Sequence, residues 1–184
     1  MTLRIENYAM IGDCKTAALV GRDGSIDWLC WPRFDSAACF AALLGTADNG
    51  RWLIAPKHPP LGVRRRYHPG TLVLETEFQT ETGCAVVIDF MSPADGADLV
   101  GIVIGRSGRV VFRTELVVRF NYGATVPWVN RLDAGTVCSP RRPSSTMRIF
   151  SSAEYCLRVA RWMSFTIRSE DILGVPDFWL ISTP

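Results

Sequence analysis

The sequence of 184 residues predicts a mainly β protein, an antiparallel β-sandwich with one short helix. The first observation is the alternation of apolar and polar residues over Leu72–Gln79, which has the period of two of a half-buried strand. The second is a longer alternation over Arg109–Asn121, the clearest strand pattern in the chain. Short segments of this kind are separated by turns rich in Gly, Asp and Pro, which is typical of an antiparallel sandwich.

The first strand pair is predicted around an Asp-Gly turn. Asp23 and Gly24 separate two apolar runs, Ala17–Val20 and Ile26–Cys30. Glycine readily adopts the positive φ that a tight hairpin turn requires. The sequence therefore predicts a β-hairpin at this position.

The one helix is predicted shortly after this hairpin. Trp31 precedes a proline and is expected to be extended, because proline disfavours the α region for the residue before it. Asp35 or Ser36 is then placed to cap the start of a short helix. The helix is expected to run to about Leu44 and to end at Gly45, since glycine is common just after a helix.

Further strands are predicted along the middle of the chain. The run Cys84–Phe90 is almost wholly apolar, as expected for a strand that is covered on both faces. Leu99–Gly105 and Arg109–Asn121 are expected to pair as a hairpin around a turn at 106–108. Glu75 and Glu77 share one strand face and are expected to point to solvent. The remaining predicted strands in this part are Arg51–Pro56 and Thr125–Asn130.

The pattern becomes less regular after residue 135. Residues 1–135 are expected to form the β-sandwich domain, and residues 136–184 are expected to be either its last strands or a poorly ordered tail. Cys138–Thr146 has the composition of a loop. Three short strands are predicted after it: Met147–Phe150, Tyr155–Val159 and Ser164–Ile167.

The composition is that of an ordinary globular protein and argues against several classes of function. The formal net charge is +2, and the dense basic run Arg64–Arg66 is expected to be a solvated strand or loop face, so no nucleic-acid partner is predicted. No segment approaches the ~20 apolar residues of a membrane helix, so no membrane partner is predicted. The N-terminus carries no secretory signature, which favours a cytoplasmic protein.

The sequence also predicts neither a metal site nor a cofactor. The six cysteines never occur at the CxxC spacing of zinc and redox sites. The two histidines, His58 and His68, have no Cys or Asp nearby at ligand spacing. Surface or packing roles are the expected ones for both.

The candidate site residues lie within and just after the predicted hairpin. Trp28, Trp31 and Phe34 either form an aromatic surface for sugar rings or pack the hairpin against the sheet or another domain. Arg33 and Asp35 are suited to bonding sugar hydroxyls, although Asp35 also suits a helix cap. These interpretations are compatible, because a residue that shapes a loop can also line a site.

An independent enzyme would need a pair of carboxylates to act as acid and base. Asp27 and Asp35 are the carboxylate pair within this stretch. Asp27 follows a hairpin turn, where a carboxylate commonly bonds to the turn itself. No catalytic residue is therefore assigned in the chain.

Three blocks of sequence occur in order and identify a family resemblance. They are IENYAMIGDCKTAALVGRDGSIDWLCWPRFDSAACFAALLG at Ile5–Gly45, VIDFM at Val87–Met91 and GRVVFRTELVVRFNYGATVPWV at Gly108–Val129. Together they resemble the N-terminal domain of bacterial glycoside hydrolase family 15 proteins, the trehalase-like and glucoamylase-like enzymes. The resemblance covers about the first 130 residues, and the ordered series is highly specific.

The resemblance implies a β-sandwich that precedes a large helical (α/α)6 barrel in the same polypeptide. Family enzymes are inverting hydrolases of α-linked glucosides such as trehalose, and both of their catalytic glutamates lie in the barrel. This chain is expected to lack the barrel. It is therefore expected to be a non-catalytic module that supports the barrel, and the alternative is a free-standing sandwich that binds α-glucans.

Overall fold

A computed structural model describes residues 3–93, 98–132, 135–139, 147–151, 163–168 and 177–182. Within these ranges the chain is mainly antiparallel β, as predicted, with three single-turn 3-10 helices at Ile5–Asn7, Ala42–Leu44 and Ala47–Asn49. The strands are β1 Tyr8–Gly12, β2 Ala17–Gly21, β3 Ser25–Cys30, β4 Ala38–Phe40, β5 Arg51–Pro56, β6 Gly62–Tyr67, β7 Leu74–Gln79, β8 Gly83–Ser92, β9 Asp98–Val117, β10 Trp128–Leu132, β11 Gly135–Ser139, β12 Met147–Ser151, β13 Met163–Arg168 and β14 Asp177–Ser182.

The long strand β9 belongs to both halves of the sheet. Its first part pairs with β8, from Ser92 opposite Asp98 to Gly83 opposite Gly108, and also with β14. Its second part pairs with β5 and with β13. One half-sheet therefore contains β1, β2, β3, β4, β5 and β13, while the other contains β6, β7, β8, β14, β12, β11 and β10.

The main core lies between these two half-sheets. Phe78 of β7 packs edge-on against Phe112 of β9, with ring centroids 6.3 Å apart. Gly101 of β9 lies so close to β5 that a Cβ there would be 2.9 Å from Ile54 and 3.2 Å from Trp52. The largest fully buried side chains include Trp52, Phe40, Phe78, Phe112, Ile11, Leu29, Leu53, Leu74, Leu99 and Val20.

Side chains join the two half-sheets along the edge where β6 faces β1 and β2. The Tyr67 hydroxyl donates to the Met10 carbonyl over 2.8 Å and accepts from the Met10 N–H over 3.0 Å. An edge strand otherwise presents such backbone groups to solvent or to another chain. Two arginines add further bonds across the same edge, Arg22 to the Val63 carbonyl at 2.8 Å and Arg65 to the Val20 carbonyl at 3.1 Å.

The predicted helix from Asp35 or Ser36 to Leu44 is wrong. Ala38–Phe40 forms strand β4, which pairs with β3 through Leu29 opposite Phe40, and only Ala42–Leu44 makes a 3-10 turn before Gly45. Five consecutive residues, 38–42, are buried. A short surface helix would expose part of such a run, so burial against β3 overrides the local capping signal.

The predicted hairpin around residues 106–108 is also wrong, because β9 continues through this segment. Gly108 has the positive φ of 65°, and a Cβ there would lie 2.2 Å from the Thr82 carbonyl oxygen. The pairing with β8 shifts register at Cys84 and Ala85, opposite this point. A glycine and a bulge thus bend β9, so that its first part belongs to the half-sheet of β8 and its second part to the half-sheet of β5. The sequence indicated a chain reversal at this point.

The charged face of β7 differs from its prediction. Glu75 is buried, and Arg66 and His68 both bind its carboxylate, which offsets the cost of burying the charge. The Arg66 hydrogen bond is the main cause that lowers the pKa of Glu75. Glu77 is half-buried and lies opposite Arg64.

The structure confirms five of the other strand predictions and changes two further assignments. The strands predicted at Arg51–Pro56, Leu72–Gln79, Cys84–Phe90, Met147–Phe150 and Ser164–Ile167 are confirmed in their main part by β5, β7, β8, β12 and β13. Thr125 bridges Phe120 across the turn at 121–124, so the following strand β10 begins only at Trp128. Cys138 lies in β11 and not in a loop. The predicted strand Tyr155–Val159 lies outside the described residues.

Asp89 is a carboxyl group in the apolar core. It lies on β8 opposite Leu74 on one side and Gly101 on the other. Only 4% of the residue is accessible, and Val87 and Met91 on the same strand face belong to the main core. Burial raises its pKa to about 7.

Replacing Asp89 with asparagine is expected to change how stability depends on pH. Between about pH 4 and pH 7 the native state holds a proton on Asp89 that the unfolded chain releases, so the free energy of unfolding falls as pH rises. The loss over this window is at most about 4 kcal/mol. Urea unfolding at pH 5 and pH 8 measures it.

The neutral side chain of Asp89→Asn removes this contribution, so the variant is expected to gain stability relative to wild type at pH 8. Glu81→Gln, an exposed carboxylate in the turn before β8, is the control and should keep the wild-type pH dependence. A wild-type slope in Asp89→Asn would contradict the assignment of this dependence to Asp89.

Candidate functional site

The predicted hairpin is confirmed as β2 and β3, and it is docked tightly on β5. Gly24 has a φ of 86°, and its carbonyl accepts a hydrogen bond from the Ile54 N–H at 3.1 Å. A Cβ on Gly24 would lie 2.2 Å from the Ile54 carbonyl oxygen. Glycine is therefore required here both by the turn and by the approach of the two backbones.

A bulge in β3 determines where the next side chains point. Leu19 lies opposite Trp28, but the adjacent Val20 lies opposite Ile26, so β3 carries one extra residue. Ile26 and Leu29 belong to the main core, whereas Trp28 packs on a separate small cluster of Cys30, Ala38 and Ala41. The bulge thus re-aims Trp28 away from the main core.

Asp27, next to Trp28, is buried in a polar network. Its Oδ2 accepts a 2.6 Å hydrogen bond from the Tyr8 hydroxyl. The Ser25 hydroxyl lies 3.0 Å from the same oxygen and 2.7 Å from Asp23 Oδ1. Burial first, and then the hydrogen bond to Asp27, raise the pKa of Tyr8. The same network leaves no room at Gly21, where a Cβ would lie 2.7 Å from Asp23 Oδ1, the Ser25 hydroxyl and the Leu3 side chain.

Trp31 and the residues after it occupy different environments. Trp31 is 4% accessible and belongs to the main core cluster, and its peptide bond to Pro32 is cis. This position favours the packing interpretation for Trp31. Phe34 is 64% accessible, and its N–H donates to the Lys15 carbonyl over 3.1 Å.

Arg33 and Asp35 form an exposed ion pair, with Arg33 Nε 2.9 Å from Asp35 Oδ1. This hydrogen bond is the main cause that raises the pKa of Arg33 and lowers that of Asp35. The predicted helix-capping role of Asp35 is wrong, since no helix begins there. Both side chains remain accessible to a ligand or to another domain.

Sequence reasoning missed Tyr122, whose ring lies beside Trp28 with centroids 6.0 Å apart. Tyr122 is 51% accessible and has a φ of 58°, between Asn121 at 52° and Gly123 at 98°. A left-handed backbone is uncommon for a bulky residue and costs about 1–2 kcal/mol. The sequence indicates the turn itself, but no local pattern indicates that it meets Trp28.

Strand β4 bonds through the Ala38 and Cys39 carbonyls to the part of the chain that follows β9. Residues 32–37 precede this strand, residues 41–50 follow it, and the turn 121–124 lies next to it. We call these three segments the loop end. The Tyr122 N–H donates to the Ala38 carbonyl at 3.2 Å, and the Arg119 N–H donates to the Cys39 carbonyl at 3.2 Å. Arg33, Phe34 and Asp35 therefore lie in the loop end and Trp28 lies beside its Tyr122, while Trp31, just before residues 32–37, is buried in the main core.

A cleft of about 400 Å³ lies elsewhere, beside the β2–β3 turn. Its wall includes Arg22, Asp23, Lys57 and Arg113 together with several prolines. None of the five predicted site residues lines this cleft. Among the residues that the structure describes, no group of three or more His, Cys, Asp or Glu side chains is placed to hold a metal ion.

The fold and the loop end define a β-rich module with an aromatic, partly apolar end. Comparison with protein families is specific: the family described as "Trehalase-like, N-terminal" matches residues 1–145. The chain belongs to this family of trehalase-like N-terminal domains. No solved structure gives a significant match.

Three relatives that match this chain carry the name trehalase. The trehalase of Mycolicibacterium smegmatis is 41% identical over 85 residues, which cover 46% of this chain and 13% of that protein. Trehalase 1 of Sulfolobus acidocaldarius is 34% identical over 134 residues, or 72% of this chain and 23% of its own length. The trehalase of Thermoplasma volcanium is 29% identical over 163 residues, or 84% and 25%. The matched part thus spans a quarter or less of these relatives.

Substitution of Gly24 tests whether the hairpin depends on its contact with β5. Gly24→Ala is expected to destabilise the fold by about 3 kcal/mol or more, because it adds a backbone clash to an unfavourable φ. Gly70→Ala is the matched control, since Gly70 also has a positive φ, 72°, but a Cβ added there would meet no atom within 4 Å. The control should lose only about 1 kcal/mol.

Urea unfolding of the two variants gives the comparison directly. Equal losses would contradict the account, because they would show that the close approach to the Ile54 carbonyl does not contribute.

Proposed function

We propose that this chain is the non-catalytic N-terminal module of an inverting α-glucoside hydrolase of glycoside hydrolase family 15. Its role is to support a helical catalytic barrel, and trehalose is the proposed substrate of the complete enzyme. The observation that carries the proposal is the extent of the match: relatives named trehalase are matched over only 12–25% of their length. In this proposal the catalytic glutamates belong to the remaining part.

The surroundings of three buried acidic residues support this division of labour. Asp27 is fixed by Tyr8 and Ser25, Glu75 by Arg66 and His68, and Glu115 by Arg51 at 2.9 Å. An inverting hydrolase needs two carboxyl groups about 6.5–9.5 Å apart with room for water between them. Buried carboxylates held by bonds within the fold are poor candidates for that pair.

The loop end supplies a surface for the barrel. Phe34 and Leu44 are 64% and 70% accessible there, and Val126 is exposed just after it. Exposed apolar side chains that cluster on one part of a surface commonly mark a contact with another protein or domain. We assign Trp28, Arg33, Phe34 and Asp35 to this contact or to the rim of the neighbouring active site, and Trp31 to the packing beneath it.

The proposal also places the protein in the cytoplasm. Among the described residues, Cys14, Cys30, Cys39 and Cys84 are free thiols, as expected for a protein of that compartment. Within the described part of the chain, no helix combines the length and the apolar character that a membrane crossing requires.

Glucose release from trehalose and from maltotriose tests the proposal. The purified chain, with its intact mass confirmed, is expected to release none, while the full-length trehalase of Mycolicibacterium smegmatis serves as the active control. Release that persists through a second purification and falls in Asp27→Asn or Asp35→Asn would place the chemistry within these residues and overturn the proposal.

A further inference from the structure

We propose that Tyr122, supported by Trp28, is a stacking platform for a pyranose ring of an α-glucoside. The ligand class rests on the proposed function, but the platform is inferred from the geometry of the turn at residues 121–124. A solvent-exposed aromatic ring offers the apolar face on which the C–H face of a sugar packs.

The backbone of this turn is held in an unfavourable conformation. Asn121, Tyr122 and Gly123 have φ values of 52°, 58° and 98°. Asparagine and glycine accept this region readily, but a tyrosine does so rarely. A strained residue persists only where its surroundings over-determine it, and such residues are concentrated at functional sites.

The surroundings of Tyr122 meet this condition. Its N–H donates to the Ala38 carbonyl at 3.2 Å, and Asn121 Nδ2 donates to the Thr125 hydroxyl at 3.0 Å. Gly123 lies directly over Asn49, where a Cβ would be 2.5 Å from the Asn49 amide nitrogen. These three contacts hold the turn on its neighbours, and 51% of Tyr122 remains accessible.

Trp28 supports the platform from below. The bulge in β3 directs Trp28 away from the main core, and its packing on Cys30, Ala38 and Ala41 fixes its position. The rings of Trp28 and Tyr122 are tilted by 39° with centroids 6.0 Å apart. Tyr122 thus rests on a side chain that is itself immobilised, which lowers the ordering cost of binding.

The polar groups around the platform favour a sugar over a protein surface. Asn121 bonds to the Thr125 hydroxyl and Gly123 lies over Asn49, so amide and hydroxyl groups are part of, or next to, the turn that carries the ring. The core of a protein–protein contact is usually apolar, whereas sugar hydroxyls require nearby donors and acceptors.

Saturation-transfer difference NMR of the purified chain, with trehalose and separately with maltotriose as the probe, tests the inference. The wild-type chain is expected to give transfer to the sugar C–H protons. Tyr122→Gly should weaken binding by about tenfold, which is the size expected for the loss of one stacking contact. Tyr122→Phe keeps the ring and should stay within about twofold of wild type.

Two further measurements make the result decisive. Tyr122→Gly relieves the left-handed backbone, so it should unfold at the same or a higher urea concentration than wild type, which excludes loss of binding through unfolding. Leu61→Ala removes an exposed apolar side chain outside the loop end and should retain binding.

Absence of transfer from the wild-type chain, or equal transfer from wild type and Tyr122→Gly, would overturn the inference; a protein contact would then be the remaining role for Tyr122. Equal losses in Tyr122→Gly and Leu61→Ala would overturn the specific assignment to Tyr122. None of these results bears on the proposed function, which glucose release tests by itself.

Discussion

The structure depends on one continuous strand, β9, whose backbone hydrogen bonds hold both half-sheets. Its first part pairs with β8 and its second part with β5, so every other element of the core is connected through it. The bend near Gly108 turns the two parts so that Phe78, which lies in one half-sheet, packs on Phe112 of the other. A chain reversal at this point would separate these partners.

The position of the loop end follows from this arrangement. β5 pairs with the second part of β9, and the β2–β3 hairpin rests on β5 through Gly24. The strand that leaves this hairpin carries the bulge that aims Trp28 outward. The turn that follows β9 then brings Tyr122 beside it. Two parts of the chain that are distant in sequence thus meet because both are attached to the same half-sheet.

Local signals in the sequence were sufficient for part of this structure. The Asp23-Gly24 pair predicts the hairpin because a tight turn requires a positive φ, and glycine adopts it without help from distant residues. The alternation over Leu72–Gln79 predicts β7, because period two is a property of the strand alone. Among the candidate site residues, the accessible positions of Phe34, Arg33 and Asp35 agree with a surface role.

Other features depend on contacts between distant residues and gave no local signal. The apolar segment after Ser36 resembles a capped helix, but pairing with β3 makes it a strand. Gly108 resembles the centre of a hairpin turn, but its close packing on Thr82 bends a strand instead. Glu75 has the pattern of an exposed strand residue, and only the folded chain brings Arg66 and His68 to it. The burial of Trp31 and the exposure of Tyr122 also depend on contacts between residues that are distant in sequence.

The continuity of β9 is the claim on which this account depends most, and cross-strand proton–proton NOEs test it directly. The structure places Ile104 opposite Val86 and Trp52 opposite Leu116, so NOEs are expected within both of these pairs. A hairpin around 106–108 would instead place Ile104 close to Val110. NOEs between the two parts of β9, with none from Ile104 to Val86, would contradict the fold and the position of the loop end derived from it.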